Sequence, residues 1–218
     1  MIGQSLLVLH IAAGSIALLT AILALATAKG GANHVRVGRV YAISMTVIFL
    51  TAVPLAMLGT DIFLLLIAVF SFYLVFAGWR FARNRRGHPR PVDWAAVGIM
   101  GLTGLGMWGY GAVLGTQGDS QWVTMVVFGT LAGALALADG QFYRLMAGGR
   151  SRAGKMRIQR HLSNMLAGTI ATVTAVLVVN VDFNPVWVPW ILPTVVMTPL
   201  ITWWNIRIAK GSRVPVRI

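Results

Sequence analysis

The sequence predicts an all-α integral membrane protein, folded as a bundle of seven transmembrane helices. Its 218 residues contain seven apolar runs, each close to the ~20 residues that a helix needs to cross a ~30 Å hydrocarbon core. Only 11% of the residues are charged, whereas an ordinary soluble domain has about a quarter. All 18 Lys and Arg residues fall in alternate gaps between the runs. Because basic loops remain in the cytoplasm, we expect the N-terminus outside the cell and the C-terminus in the cytoplasm.

The predicted helices follow the apolar runs in order. They cover residues 4–27, 38–59, 62–80, 94–115, 122–142, 160–180 and 187–206. The basic gaps follow the first, third, fifth and seventh runs. Their cations are Lys29, Arg36 and Arg39; Arg80, Arg83, Arg85, Arg86 and Arg90; Arg144, Arg150, Arg152, Lys155, Arg157 and Arg160; and Arg207, Lys210, Arg213 and Arg217. The helices use most of the chain, so residues 1–218 are predicted to form a single membrane domain.

Composition excludes several kinds of function. The chain has no cysteine, which rules out disulfides, thiolate metal sites, iron–sulfur clusters and covalently attached c-type haem. A net charge of +13 in a soluble protein would suggest nucleic acid. Here the cations are placed where a cytoplasmic face meets anionic lipid headgroups. The lipid bilayer is therefore the predicted partner, and nucleic-acid binding is not expected.

Two helices have distinctive compositions. Helix 7 has Trp187 and Trp190 at its start and Trp203 and Trp204 at its end, a spacing of about 25 Å that fits two interfacial aromatic belts. Helix 4 is dense in glycine, and small residues let helix backbones approach closely. We therefore expect helix 4 to be central and tightly packed. Asp93, which precedes Trp94, is expected to be its N-cap.

Ionisable residues inside a membrane span are candidates for function by default. His34 and His161 lie near the cytoplasmic ends of helices 2 and 6, which run in the same direction. Two neutral imidazoles on facing helices can hold a haem iron axially. Arg39 and Arg160 could then pair with the haem propionates. The alternative is that both histidines are interfacial and solvated within a basic face.

His10 and Asp139 complete the candidates. His10 lies near the outer end of helix 1, about 25 Å from the inner end where His34 lies, so the two cannot share one iron. It is a ligand or proton-relay group, or a buried histidine bonded to a neighbouring helix. Asp139 is predicted to pair with Arg160, His161, Arg39 or His34, as a tie between helices or as part of a proton relay.

These residues resemble a pattern in a large family of small bacterial multi-pass membrane proteins of unknown function. The likeness rests on His10, on the segment His34-x-x-x-Gly38-Arg39-x-Tyr41, on residues 73–80, on Asp139, and on Arg157-x-x-Arg160-His161-x-x-x-Met165. It covers nearly the whole chain and implies a protein of the bacterial inner (plasma) membrane, with no activity attached. A vaguer likeness to b-type cytochromes rests on the helical histidines alone.

Three functions remain open from the sequence. The first is a membrane redox protein with haem b near the cytoplasmic face, ligated by His34 and His161. The second is a small proton-coupled transporter, suggested by Asp139, the histidines and the prolines of helix 7. The third is an accessory or assembly subunit, either a homo-oligomer or part of a larger membrane complex. Hydrolase, zincin and phosphate-loop motifs are missing, and whether the chain is an enzyme is left undecided.

Overall fold

A computed structural model describes residues 2–84, 88–147 and 153–210 of the chain. Over these residues the chain forms seven helices and no strand. The helices are α1 (Ile2–Ala26), α2 (Ala32–Leu58), α3 (Ile62–Arg83), α4 (Pro91–Thr116), α5 (Trp122–Ala147), α6 (Ala153–Asn180) and α7 (Val188–Ala209). The all-α prediction and the seven helices are confirmed. Arg85, Arg86, Arg150, Arg152, Arg213 and Arg217, which entered the topology prediction, lie outside the described residues.

Helices α2 and α6 begin well before the apolar runs that predicted them. Helix α2 begins at Ala32 rather than residue 38, and α6 at Ala153 rather than residue 160. Hydropathy marks the stretch that lipid can surround, whereas helical hydrogen bonding continues through polar turns beyond it. His34 and His161 therefore lie inside helices, which fixes the direction of their side chains.

Six of the helices, α1 to α6, are long and apolar enough to cross a membrane. Helix α7 is less apolar, because Pro189, Pro193 and Pro199 and several tryptophans and threonines interrupt its aliphatic residues. A seventh crossing, and the side of the membrane on which each terminus lies, stay predictions.

One end of the bundle, here called the basic end, holds the ends of α1, α3, α5 and α7 and the beginnings of α2, α4 and α6. Polar contacts tie these helix ends together. Arg157 donates to the carbonyls of Phe81 and Ala82, 2.8 and 2.9 Å away, at the end of α3. Gln159 on α6 donates to the Asn205 carbonyl on α7 at 3.0 Å. The described cations between the helices therefore share one end of the molecule.

Helices α3 and α6 form the centre of the bundle. Helix α3 packs against α2, α4 and α6, and α6 packs against α1, α3 and α7. The expectation that helix 4 is central is wrong, since Leu102 and Leu105 on α4 are 70% and 63% exposed. Helix α4 does pack closely, as expected, but against α5. A Cβ on Gly104 would stand 3.0 Å from the Gly129 carbonyl oxygen, so only glycine permits that approach.

The aromatic residues of α7 divide between core and surface. Trp190 is only 8% exposed and packs edge-on against Phe63 of α3, with ring centroids 4.9 Å apart. Trp203 is 48% exposed, with the Arg207 guanidinium 4.6 Å above its ring. Trp190 thus belongs to the core and not to an interfacial belt. Of these two tryptophans, only Trp203 has the exposure expected of a belt residue.

Candidate functional site

The structure brings His34 and His161 together at the basic end. Their ring centroids lie 6.5 Å apart, and the ring planes are nearly perpendicular at 85°. Two imidazoles that bind one metal from opposite sides, with metal–nitrogen bonds of about 2 Å, have ring centroids roughly 6 Å apart. The predicted approach of the two histidines is therefore present, and their ring separation is close to that of two imidazoles on one metal.

The hydrogen bonds of His34 determine its tautomer. Its Nδ1 lies 3.2 Å from the Ala24 carbonyl oxygen and 3.3 Å from Thr27 Oγ1, both near the end of α1. A carbonyl can only accept, and the Thr27 hydroxyl already donates to that same carbonyl at 3.0 Å. We therefore assign the proton to Nδ1 of His34. Neutral His34 then carries its lone pair on Nε2.

His161 has the same tautomer for a similar reason. Its Nδ1 lies 2.8 Å from the carbonyl oxygen of Gly78 on α3, so Nδ1 must donate. Gly78 is needed at this contact, because a Cβ there would stand 3.0 Å from Met165 and 3.2 Å from Asn164. In metal sites a ligating imidazole usually donates its other N–H to a carbonyl or carboxylate, which fixes the ring and raises its basicity. Both histidines have that arrangement.

Helices α2 and α6 run parallel and meet through side chains along one seam. His34 faces His161, Tyr41 faces Gly168, and the Thr172 hydroxyl lies 3.5 Å from the Met45 sulfur. Each of these pairs is separated by 127 residues, because both helices advance at the same rate in the same direction. The seam therefore extends the histidine pair two turns or more into the bundle.

Two buried polar atoms lie near this seam, the Tyr41 hydroxyl and the Asn164 Oδ1, on residues that are 3% and 1% exposed. The Tyr41 hydroxyl is within reach of the Thr169 and Thr172 hydroxyls, whereas the Asn164 Oδ1 has no hydrogen-bond partner among the described residues. A buried polar group without a partner is costly, so the Asn164 Oδ1 marks a place where a bound molecule or water would be stabilised. Asn164 lies one turn beyond His161, and Tyr41 two turns beyond His34.

Space exists beside His34. Gly38 lies one turn further along α2, on the same face, and a Cβ added to it would meet no atom within 4 Å. A cavity of about 320 Å³ opens on the other side of His34, lined by residues 27–28 and 31–34. That cavity includes His34 but not His161. The assigned tautomers leave a lone pair on the Nε2 atom of each imidazole, and Gly38 leaves open space beside His34.

Asp139 is fully buried and pairs with Arg160, as one of the predicted alternatives states. Arg160 NH1 lies 2.5 Å from Asp139 Oδ1, and the Tyr73 hydroxyl donates to Oδ2 at 2.7 Å. Tyr73 comes from α3, so this cluster joins α3, α5 and α6. NH1 of Arg160 is thereby paired with a carboxylate, and the predicted role of Arg160 as a propionate partner stays a prediction.

Arg39, the other predicted propionate partner, does not share a face of α2 with His34. It lies five residues after His34 on α2, which turns it to another face, and it lines a groove between α2 and α3.

Asp93 differs from expectation, because it is the third residue of α4 and not the N-cap. It accepts from the Arg90 backbone at 2.8 Å and from Arg80 at 2.6 and 2.7 Å. Both acids at the basic end thus have arginine partners.

His10 lies apart from the other histidines, as predicted. Its Nδ1 is 3.0 Å from the Thr51 hydroxyl on α2, in the half of the bundle away from the basic end. Thr51 donates its own proton to the Val47 and Ile48 carbonyls at 2.8 and 2.9 Å. His10 therefore donates to Thr51 and ties α1 to α2, which is the bonded alternative of the sequence prediction.

One loop cation adjoins the site. Lys29, between α1 and α2, donates to the Ala24 and Leu25 carbonyls at 2.9 and 2.7 Å. Partial burial lowers the pKa of Lys29. Its ammonium satisfies the last turn of α1, so the carbonyl that orients His34 is itself held in place.

Sequence reasoning missed Tyr41, Tyr73 and the Gly78 carbonyl as parts of this site. Tyr41, Tyr73 and Gly78 all stand in the segments that suggested the family, and that proximity was the only available signal. Comparison with family models, with curated proteins and with solved structures found no significant match. Within residues 2–84, 88–147 and 153–210, no group of three or more His, Asp or Glu side chains could hold a metal ion.

Proposed function

We propose that the protein is a membrane redox protein that binds b-type haem between His34 and His161. One observation carries the proposal: two imidazoles from parallel helices lie 6.5 Å apart, and each Nδ1–H is bound to a protein acceptor. Two imidazoles are too few to hold a bare metal ion, but they would complete the ligands of an iron held by a porphyrin. Haem bound in this way supplies one-electron transfer.

The protein residues have separate tasks in this proposal. The carbonyls of Ala24 and Gly78 orient the two rings and raise the basicity of their Nε2 atoms. Gly38 leaves room beside His34. The absence of cysteine means that the haem is not covalently attached. The apolar helices around the seam limit the access of water, which favours controlled electron transfer over side reactions with solvent.

The cellular setting is part of the same proposal. The family resemblance supports a bacterial plasma membrane. The alternation of basic and uncharged gaps supports seven crossings, with the N-terminus outside and the basic end in the cytoplasm. The haem would then lie near the cytoplasmic face, where soluble electron donors are available.

The other hypotheses have less support from the geometry. A proton-coupled transporter depends most on Asp139, and Asp139 is fully buried between Arg160 and Tyr73 rather than facing a cavity. The accessory-subunit hypothesis and the oligomeric state stay predictions. No contact among the described residues favours either one.

The proposal is tested by a reduced-minus-oxidised spectrum of the protein purified after expression with ample haem precursor. We expect a b-type α band that disappears in His34→Ala and in His161→Ala. Gly38→Leu should also lose the band, because its side chain fills the open space while leaving the helix intact. His88→Ala, in the exposed loop before α4, is the matched control and should keep it. A folded, monodisperse protein without any b-type band would refute the proposal.

A further inference from the structure

A groove on the lipid-facing surface between α2 and α3 combines an apolar wall with a cationic mouth. Its volume is about 290 Å³. Ala42 and Thr46 of α2 and Phe72 and Phe76 of α3 line its length. At the basic end of the molecule it opens between Arg39 and Arg83.

The two arginines at the mouth have no acidic partner within the described part of the chain. Arg39 makes no ion pair with a described residue, and the guanidinium of Arg83 lies 4.9 Å above the ring of Trp79. Only two of the five acidic side chains are at the basic end. Those two, Asp93 and Asp139, are held by Arg80 and Arg160. The charge at the mouth is therefore complementary to an anion that the chain does not itself supply.

The dimensions match one leaflet of a bilayer. From Phe72 to Arg83 the groove follows α3 for eleven residues, or about 16 Å. Half of a typical hydrocarbon core is about 15 Å thick. An acyl chain that entered at the level of the arginines would run along Phe76 and Phe72 and end near the midplane. Basic sites between transmembrane helices on the cytoplasmic side bind anionic headgroups.

We propose that this groove, the Arg39–Arg83 groove, binds one anionic glycerophospholipid from the leaflet at the basic end. The phosphate lies between the two guanidiniums, and one acyl chain packs against the aromatic wall. Arginine suits the task because its planar donors can engage phosphate in pairs. The site is distinct from the histidine pair, so its occupancy does not depend on the proposed haem.

The proposal is tested by native mass spectrometry of the purified full-length protein, titrated with phosphatidylglycerol or with zwitterionic phosphatidylcholine. We expect the first phosphatidylglycerol to bind at least about ten-fold more tightly than phosphatidylcholine, because both lipids carry the phosphate but the choline ammonium of phosphatidylcholine is repelled by the two guanidiniums. The double variant Arg39→Gln/Arg83→Gln should lose that preference. The matched control Arg36→Gln/Arg144→Gln removes the same charge from the same end and should keep it.

A second variant separates the groove from charge alone. Ala42→Phe places a large side chain in the groove without altering any charge. It should weaken the binding of the first phosphatidylglycerol molecule by a similar factor. Equal binding of the two lipids would overturn the proposal. So would an equal loss in the control pair, which would indicate a diffuse surface charge, or unchanged binding in Ala42→Phe.

Discussion

At the scale of single residues, the buried carboxylate of Asp139 shows how charge is accommodated in the bundle. Its two oxygens accept from Arg160 and Tyr73 at 2.5 and 2.7 Å. A buried ion costs several kcal/mol in desolvation, and a well-placed partner with further hydrogen bonds offsets most of that cost. Removing one member leaves the other uncompensated. The cluster therefore stabilises the packing of α3, α5 and α6 against one another.

Asp139→Asn is expected to lower the free energy of unfolding by about 3 kcal/mol or more, because it leaves the largely buried Arg160 without a counter-ion. Denaturation in mixed detergent micelles measures the change. Asp182→Asn, in an exposed loop, is the matched control and should stay within about 0.5 kcal/mol. Replacing both partners, as Asp139→Asn/Arg160→Met, should recover part of the loss. A double variant that is as unstable as the sum of the singles would contradict this coupling.

At the scale of elements, the packing of α6 against α2 and α3 depends on one missing side chain. A Cβ on Gly168 would stand 2.7 Å from Val75 Cγ2 and 2.9 Å from the Tyr41 hydroxyl. Both of those residues are buried, at 2% and 3% exposure, so neither has free space into which to move. The small residue therefore allows three helices to meet, and does not leave a vacant slot.

Gly168→Ala should cost about 1–3 kcal/mol, since overpacking forces neighbouring side chains or backbone to shift. Gly109→Ala on α4 is the control, because its Cβ would meet no atom within 4 Å. That change should be neutral or stabilising by up to about 1 kcal/mol, as alanine is the better helix former. Thermal unfolding followed by tryptophan fluorescence compares the two. Similar melting temperatures for both variants would show that Gly168 is not close-packed.

The sequence predicts where the helices lie along the chain much better than it predicts which helices pack against one another. In α1, Leu19 and Ile22 face outward at 58% and 56% exposure, while Ala17 and Ala21 are buried at 0% and 2%. Lipid and protein interior are equally apolar, so hydropathy does not distinguish the two faces. Small residues at four-residue spacing mark the packed face instead. Hydropathy alone therefore does not predict which helices are neighbours in the bundle.

The candidate site was predicted only in part, because the sequence shows ionisable side chains but not the backbone groups that bind them. Intramembrane histidines and aspartates are rare and therefore conspicuous, so His34, His161 and Asp139 stood out. Their hydrogen-bond partners did not, because a carbonyl such as that of Gly78 leaves no signal in the sequence. Arg160 adjoins His161 and Arg39 follows His34 by five residues, yet Arg39 turns to another face of α2 and Arg160 has a carboxylate partner.

At the scale of the whole molecule, the distribution of charge is the strongest asymmetry. The described cations lie at the basic end, and Asp61, Asp119 and Asp182 lie at the other. This arrangement places the histidine pair, the Arg39–Arg83 groove and both arginine–aspartate pairs within one layer. If the basic end faces the cytoplasm, every candidate site but His10 lies in the cytoplasmic half of the bundle.

The absence of cysteine makes that topology directly measurable, because every introduced thiol is unique. Gln117→Cys and Asp182→Cys, at the end away from the basic end, should react with an impermeant maleimide in intact cells. Ala147→Cys and Ala209→Cys should react only after permeabilisation, and both keep every basic residue. Asp182 and Ala209 flank α7, so opposite labelling of these two tests the seventh crossing. Equal labelling of Asp182→Cys and Ala209→Cys would mean that α7 does not cross, whatever the orientation of the other six helices.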